Sequence, residues 1–160
     1  MRTRGLRRLA LAVVLAGTVV PAGAQANGGD GLCLSSGTLY DARAERTLVR
    51  AINAVRVRNG RVALRPRAWI RRAARSHSYD MAHRGYFAHS IRGGRFSWAP
   101  RNRAAGENLA MGMTTREVVA MFLGSSSHRS TLMNPVYRNT GIGVVRTCTG
   151  ALLVTQNFVS

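Results

Sequence analysis

The chain has 160 residues, with 24 basic against 6 acidic side chains and a formal net charge of +18. That length supports one domain with one core, not a multidomain assembly. Apolar residues make up 46%, too many for an intrinsically disordered chain, and no apolar run reaches the roughly 20 residues of a membrane-spanning helix.

The chain begins with Arg2, Arg4, Arg7 and Arg8 ahead of an apolar stretch from Leu9 to Val20, then Pro21 and Ala24-Gln25-Ala26. A basic start, an apolar middle and small residues at a cleavage point predict a secretory signal peptide over residues 1–26. The residues around Arg7-Arg8 fit a twin-arginine signal poorly. Removing the segment leaves a charge of +14. Export makes the two cysteines readable. In an oxidising compartment Cys33 and Cys148 are most simply one disulfide, with two free thiols as the alternative. The disulfide closes a loop of about 115 residues, worth roughly 4–5 kcal/mol in the chain-entropy account.

Residues 27–40, rich in Gly and Ser up to Gly37, read as an arm, and the folded domain is expected over 41–160. Asp41 is placed to cap a helix running to about Arg58, with Leu48, Ile52 and Val55 on its apolar face and Asn59-Gly60 as its stop. A second helix is expected from Pro66, a residue suited to the first helical position. Ile70, Ala73, Ala74, His77 and Met81 share a face, and Gly85 ends it. Residues 86–106 read as a long loop, with Gly93-Gly94 as a turn. Thr114 or Thr115 caps a third helix carrying Val118, Val119 and Phe122, which Gly124 and the serines at 125–127 break. Gly141 to Val145 and Ala151 to Val159 are strand-like runs around Thr149-Gly150. Helices first and strands late predict one α+β domain.

Four histidines and six acids are the candidates for chemistry. His77 reads as a hydrogen-bonded core residue and His83 as solvated. Asp30, Asp41 and Glu45 read as caps or surface charges, Asp80 as a surface charge, and Glu117 as a first-turn acid favouring the helix dipole. His89, Glu107 and His128 remain. Two imidazoles and a carboxylate suit Zn²⁺ with one position open, although spacing alone does not bring them together. Ser125 to Ser127 lie near His128, but no nucleophile elbow or orienting acid accompanies them, so they read as capping and turn residues.

Every basic residue is arginine. Arg67, Arg71 and Arg75 recur at steps of four along the second helix. Such a stripe either attracts anionic envelope polymers or lipids, or is an ordinary solvated face built from a compositional preference for arginine. No aromatic residues interleave it, so no specific nucleic-acid recognition is expected.

Taken in order, these fragments resemble a known family. They are Asn53-x-x-Arg56, Gly60 to Leu64, Ala74-Arg75-x-His77-Ser78-x-Asp80-Met81-Ala82, Tyr86-Phe87-x-His89-Ser90, Gly106-Glu107-Asn108-Leu109-Ala110, Val118-Val119 through Ser125 to His128-Arg129, Gly141-x-Gly143 and Thr155-Gln156-x-Phe158. The sequence resembles the secreted CAP domain (cysteine-rich secretory protein, antigen 5, pathogenesis-related 1; also SCP) in its compact bacterial form, over about residues 46–159. The resemblance implies a three-layer α-β-α sandwich with a central, mostly antiparallel sheet, and a cleft lined by a His/Glu tetrad. His89, Glu107 and His128 match three tetrad positions. Ser125 stands where the family has its second glutamate, and Phe122 where it has a tryptophan. Family members bind divalent cations, often zinc, through the two histidines.

The expectation is a secreted or envelope-associated, monomeric, disulfide-tied binding module. His89 and His128 are its metal ligands, with Glu107 as a third ligand, an outer partner or a base. Two alternatives stand beside it. One is a metal-assisted hydrolase of an envelope peptide or polymer with Glu107 as general base. The other is a cationic protein that binds anionic envelope polymers or lipids through Arg67, Arg71 and Arg75.

Overall fold

The structure, a computed structural model, describes residues 40–160. The expected signal peptide, most of the arm, and Cys33 and Asp30 lie outside the described residues. The elements are α1 (Ala42–Arg58), β1 (Arg65–Pro66), α2 (Ala68–Arg84), β2 (Ile91–Arg92), β3 (Arg95–Phe96), β4 (Ala105–Gly112), α3 (Thr115–Gly124), α4 (Ser126–Met133), β5 (Asn139–Arg146) and β6 (Leu152–Val159). The main sheet runs β1-β5-β6-β4. Only the short β1 pairing with β5 is parallel.

Side-chain alternation along the two central strands creates two cores. Ile142 and Val144 of β5 and Leu152, Val154 and Phe158 of β6 join Leu48, Ile52, Val118, Phe122 and Leu132, so α1, α3 and α4 cover one face. Val145 and Leu153 point the other way and meet Met81 and Ala82 of α2. The three-layer α-β-α arrangement follows from that period of two.

Gly141 and Gly143 set the distance between α2 and β5. A Cβ at Gly141 would lie 2.1 Å from the Arg71 backbone nitrogen, and one at Gly143 would lie 2.3 Å from that of Arg75. Only glycine lets the helix lie directly on the strand here. Ser78 fastens the contact, donating its hydroxyl to the Gly143 carbonyl at 3.1 Å and contacting Thr155 Oγ1 at 2.9 Å.

Asn53 and Arg56 of α1 hold the chain that leaves it. Asn53 donates to the Leu64 carbonyl at 2.9 Å and accepts from the Leu64 N–H at 2.8 Å. Arg56 is fully buried and pairs with no carboxylate among the described residues. Its guanidinium donates to the carbonyls of Val62, Leu132, Asn134 and Tyr137, joining α1 to the C-terminal end of α4. Burial, and then the charges of Arg138 and Arg61, lower its pKa.

Several expectations change. Pro66 does not begin α2. As part of β1 it pairs with Thr140, while the Arg65 N–H bonds to the Arg138 carbonyl just before β5 and the Arg67 N–H to the Thr140 carbonyl, so the missing proline donor leaves no gap in the ladder. The N-cap is Arg67, whose side chain caps nothing. The 86–106 segment holds a small hairpin, β2–β3, turned at Gly93 and Gly94 with φ of +58° and +74°. Strand β4 and helix α4 were not expected. Glu45 is not a cap or surface charge: it is buried and held by both ends of the Arg75 guanidinium at 2.7 Å. Asp80 is not simply solvated either. It accepts from the Tyr86 hydroxyl at 2.5 Å and pairs with Arg84 at 2.8 Å.

Asp41 caps α1 as expected, accepting from the Ala44 N–H at 2.8 Å. Gly85 ends α2 with φ of +68°.

Candidate functional site

Strand β4 carries Glu107 into the interior, with its side chain sealed from solvent. Each carboxylate oxygen has two donors. Oε1 takes the Ser90 N–H at 2.9 Å and His89 Nδ1 at 3.0 Å, while Oε2 takes the Ser90 hydroxyl at 2.5 Å and Trp98 Nε1 at 3.3 Å. Burial alone raises its pKa, but hydrogen bonds from His89 and Ser90, with help from His77, carry it below the usual carboxylate value. An ionised carboxylate can only accept, so the proton between it and His89 sits on Nδ1. His89 Nε2 is left as the free ring nitrogen, and 43% of the side chain is exposed.

His77 stands behind this pair on α2. Its Nε2 donates to the Ala88 carbonyl at 2.9 Å and lies 3.9 Å from Glu107 Oε1. It therefore ties the loop before His89 to the helix, as a hydrogen-bonded core histidine should. A cavity of about 320 Å³ opens beside it, lined in part by Ser76, His77, Ser90 and Trp98.

His128 comes from the other side, on the first turn of α4. Ser125 caps that helix by accepting from the His128 N–H at 3.5 Å, and Asn108 of β4 donates to the His128 carbonyl at 3.0 Å. The ring packs edge-on against Phe122, with centroids 5.6 Å apart. Its buried Nδ1 has no hydrogen-bond partner. Burial first, and the nearby charge of His89 second, lower its pKa, so it is neutral at physiological pH. Ser125 thus serves the backbone under His128.

His89 and Glu107 are in direct contact, whereas His128 is joined through its carbonyl to Asn108, the neighbour of Glu107 on β4. Among the described residues no three His, Cys, Asp or Glu side chains form a group able to hold a metal ion. Glu107 is already fully engaged by its four donors. His89 keeps an open Nε2 and His128 an unpartnered Nδ1. Glu107 fixes the His89 tautomer. A lowered, four-fold hydrogen-bonded carboxylate is also a weak proton acceptor. Two of its donors carried little sequence signal. Trp98 lies in an irregular loop, and Ser90 was marked only by following His89.

The remaining site expectations separate. Cys148 carries no free thiol, while Cys33 lies outside the described residues. The arginine stripe is not uniform. Arg75 pairs with Glu45 and sits 4.8 Å over the Tyr40 ring, and Arg67 donates to Asn139 at 2.8 Å. Arg71 makes no ion pair among the described residues.

Comparison with known proteins agrees with the fold. The model of the CAP family, the cysteine-rich secretory protein family, matches residues 49–158. The uncharacterized protein YkwD of Bacillus subtilis is 32% identical over 122 residues, covering 72% of this chain and 46% of YkwD. The chain thus spans about half the length of that relative. An SCP-domain extracellular protein of Bacillus anthracis is 26% identical, with a TM-score of 0.64 over 73% of this chain and 40% of that one. An outer surface protein of Borrelia burgdorferi superposes with a TM-score of 0.67 over 74% of this chain and 93% of that one, at 18% identity. That last likeness concerns the fold alone.

Proposed function

The chain belongs to the cysteine-rich secretory protein (CAP) family, and from that premise we propose that it works outside the cytoplasm as a binding module whose cleft takes a divalent cation through His89 and His128. Two observations support this reading: a His89 whose tautomer is fixed by Glu107, and a buried, unpartnered nitrogen on His128. Glu107 acts as the acceptor that orients His89, not as a ligand or general base. When bound, the cation supplies a Lewis-acid contact for an anionic or carbonyl group of the partner. Zinc, with its preference for imidazole nitrogen, is the first ion to test.

A disulfide between Cys33 and Cys148 belongs to the same reading, since Cys148 holds no free thiol and the chain has only two cysteines. No helix among the described residues is long and apolar enough to cross a membrane. A relative named as an extracellular protein supports export of this chain too.

Calorimetric titration of Zn²⁺ into metal-free protein tests the proposal. One equivalent is expected to bind, with the heat lost in the His89→Ala/His128→Ala variant. An undiminished titration in that variant contradicts it.

A further inference from the structure

A second concave site lies at the opposite edge of the sheet from β4, where α1, β1 and the start of α2 meet. It is a cavity of about 440 Å³. Val49, Pro66 and Ile142 contribute to an apolar floor, and Arg46, Arg50, Arg67 and Arg71 stand around it. Arg46 and Arg50, four residues apart, share one side of α1, while Arg67 at the N-cap of α2 and Arg71 in its first turn stand at the start of that helix. All four are exposed.

Among the described residues none of the four has an acidic partner. Among the described residues the arginine ion pairs are those of Arg75, Arg84 and Arg146. Among the described residues the only carboxylate lining the cavity is Glu45, and Arg75 occupies both of its oxygens. Arg67 and Arg50 make side-chain hydrogen bonds to the neutral groups of Asn139 and Thr47. The start of α2 points the same way. It has no side-chain cap and no acid in its first turn, and arginine occupies its N-cap, against the usual preference for negative charge at that end. Four uncompensated guanidinium groups around a cavity with an apolar floor call for an anion that also carries carbon.

We propose that this cavity binds a phosphoryl group esterified to a small organic moiety, such as a phosphoglycerol unit. Guanidinium forks match phosphate oxygens two at a time, and a phosphate ester presents enough oxygens to engage more than one arginine. The apolar floor takes the organic part. Arg75, spent on Glu45, is not part of the site. Nothing in this site depends on the histidine cleft.

The test uses sn-glycerol 3-phosphate titrated into the protein at low ionic strength, and sedimentation with vesicles of phosphatidylglycerol against vesicles of phosphatidylcholine. The variants are Arg46→Gln/Arg71→Gln and, as a control of equal charge, Arg58→Gln/Arg116→Gln, whose residues are exposed and away from the cavity. Thermal unfolding of both is expected to match the parent. Saturable binding of the free ester that weakens with salt, and by about tenfold or more in the cavity variant but not the control, supports the proposal with a soluble ester as ligand. Selective retention on phosphatidylglycerol vesicles, lost only in the cavity variant, supports it with a lipid headgroup as ligand. Absence of binding in both arms, or equal loss in the two variants, overturns it.

Discussion

Glu107 accepts the Nδ1 proton of His89 at 3.0 Å while its own side chain is closed to solvent. The other three donors to that carboxylate make it a fixed negative post, and His89 is turned by it.

Replacing Glu107 by Gln puts an amide N–H where a donor already points. We expect a loss of about 2–4 kcal/mol in stability, since a buried donor is left unmatched. Zinc affinity should fall about 10–100-fold, the usual result of removing the acceptor behind a ligating histidine. Urea unfolding and calorimetry read the two effects separately.

Acid should destabilise the metal-free protein in two stages. The folded pKa of His128 lies below its ordinary 6.5, so the unfolded state binds the proton more readily. Its contribution is complete above about that pH and is lost as pH falls through the folded value. Glu107, lowered from 4.5, has the same sign and acts at lower pH. Urea midpoints measured against pH should decline in both windows, and His128→Asn should flatten the upper one.

Gly143→Ala would force a Cβ to within 2.3 Å of the Arg75 backbone nitrogen. Helix α2 would have to lift from β5, at a cost of about 3 kcal/mol or more, in the range of severe overpacking. Thermal unfolding should show this loss, while Gly124→Ala, with open space around it, should leave the melting temperature nearly unchanged.

Arg56→Met should cost about 3 kcal/mol, because it strips the donor from carbonyls of the α1–β1 loop, α4 and the segment after it. Arg56→Lys should rescue only part of this, since an ammonium lacks the fork that spans them. Chemical denaturation of the two variants checks the order.

Much of the fold was legible. The apolar spacing of Leu48, Ile52 and Val55, the Asp41 cap and the Gly85 stop mark real helix features, and the β5–β6 hairpin follows its turn. Strand β4 was hidden because Gly106, Glu107 and Asn108 are poor strand formers whose places are set by tertiary contacts. Pro66 misled because a proline that opens a helix and one that sits on a sheet edge look alike in sequence. In the site, composition and spacing listed His89, Glu107 and His128, and the family resemblance grouped them. The exhaustion of Glu107 by Ser90 and Trp98 required three-dimensional proximity. Arg75 looked like a stripe residue because its partner, Glu45, is 30 positions away.

The most direct test of the cleft is long-range ¹H–¹⁵N NMR of the histidine side chains at neutral pH, before and after one equivalent of Zn²⁺. The account predicts that metal-free His89 carries its proton on Nδ1, and that zinc then shifts His89 Nε2 and a ring nitrogen of His128 together. A proton on Nε2 of metal-free His89, or zinc that leaves both rings unmoved, would contradict it.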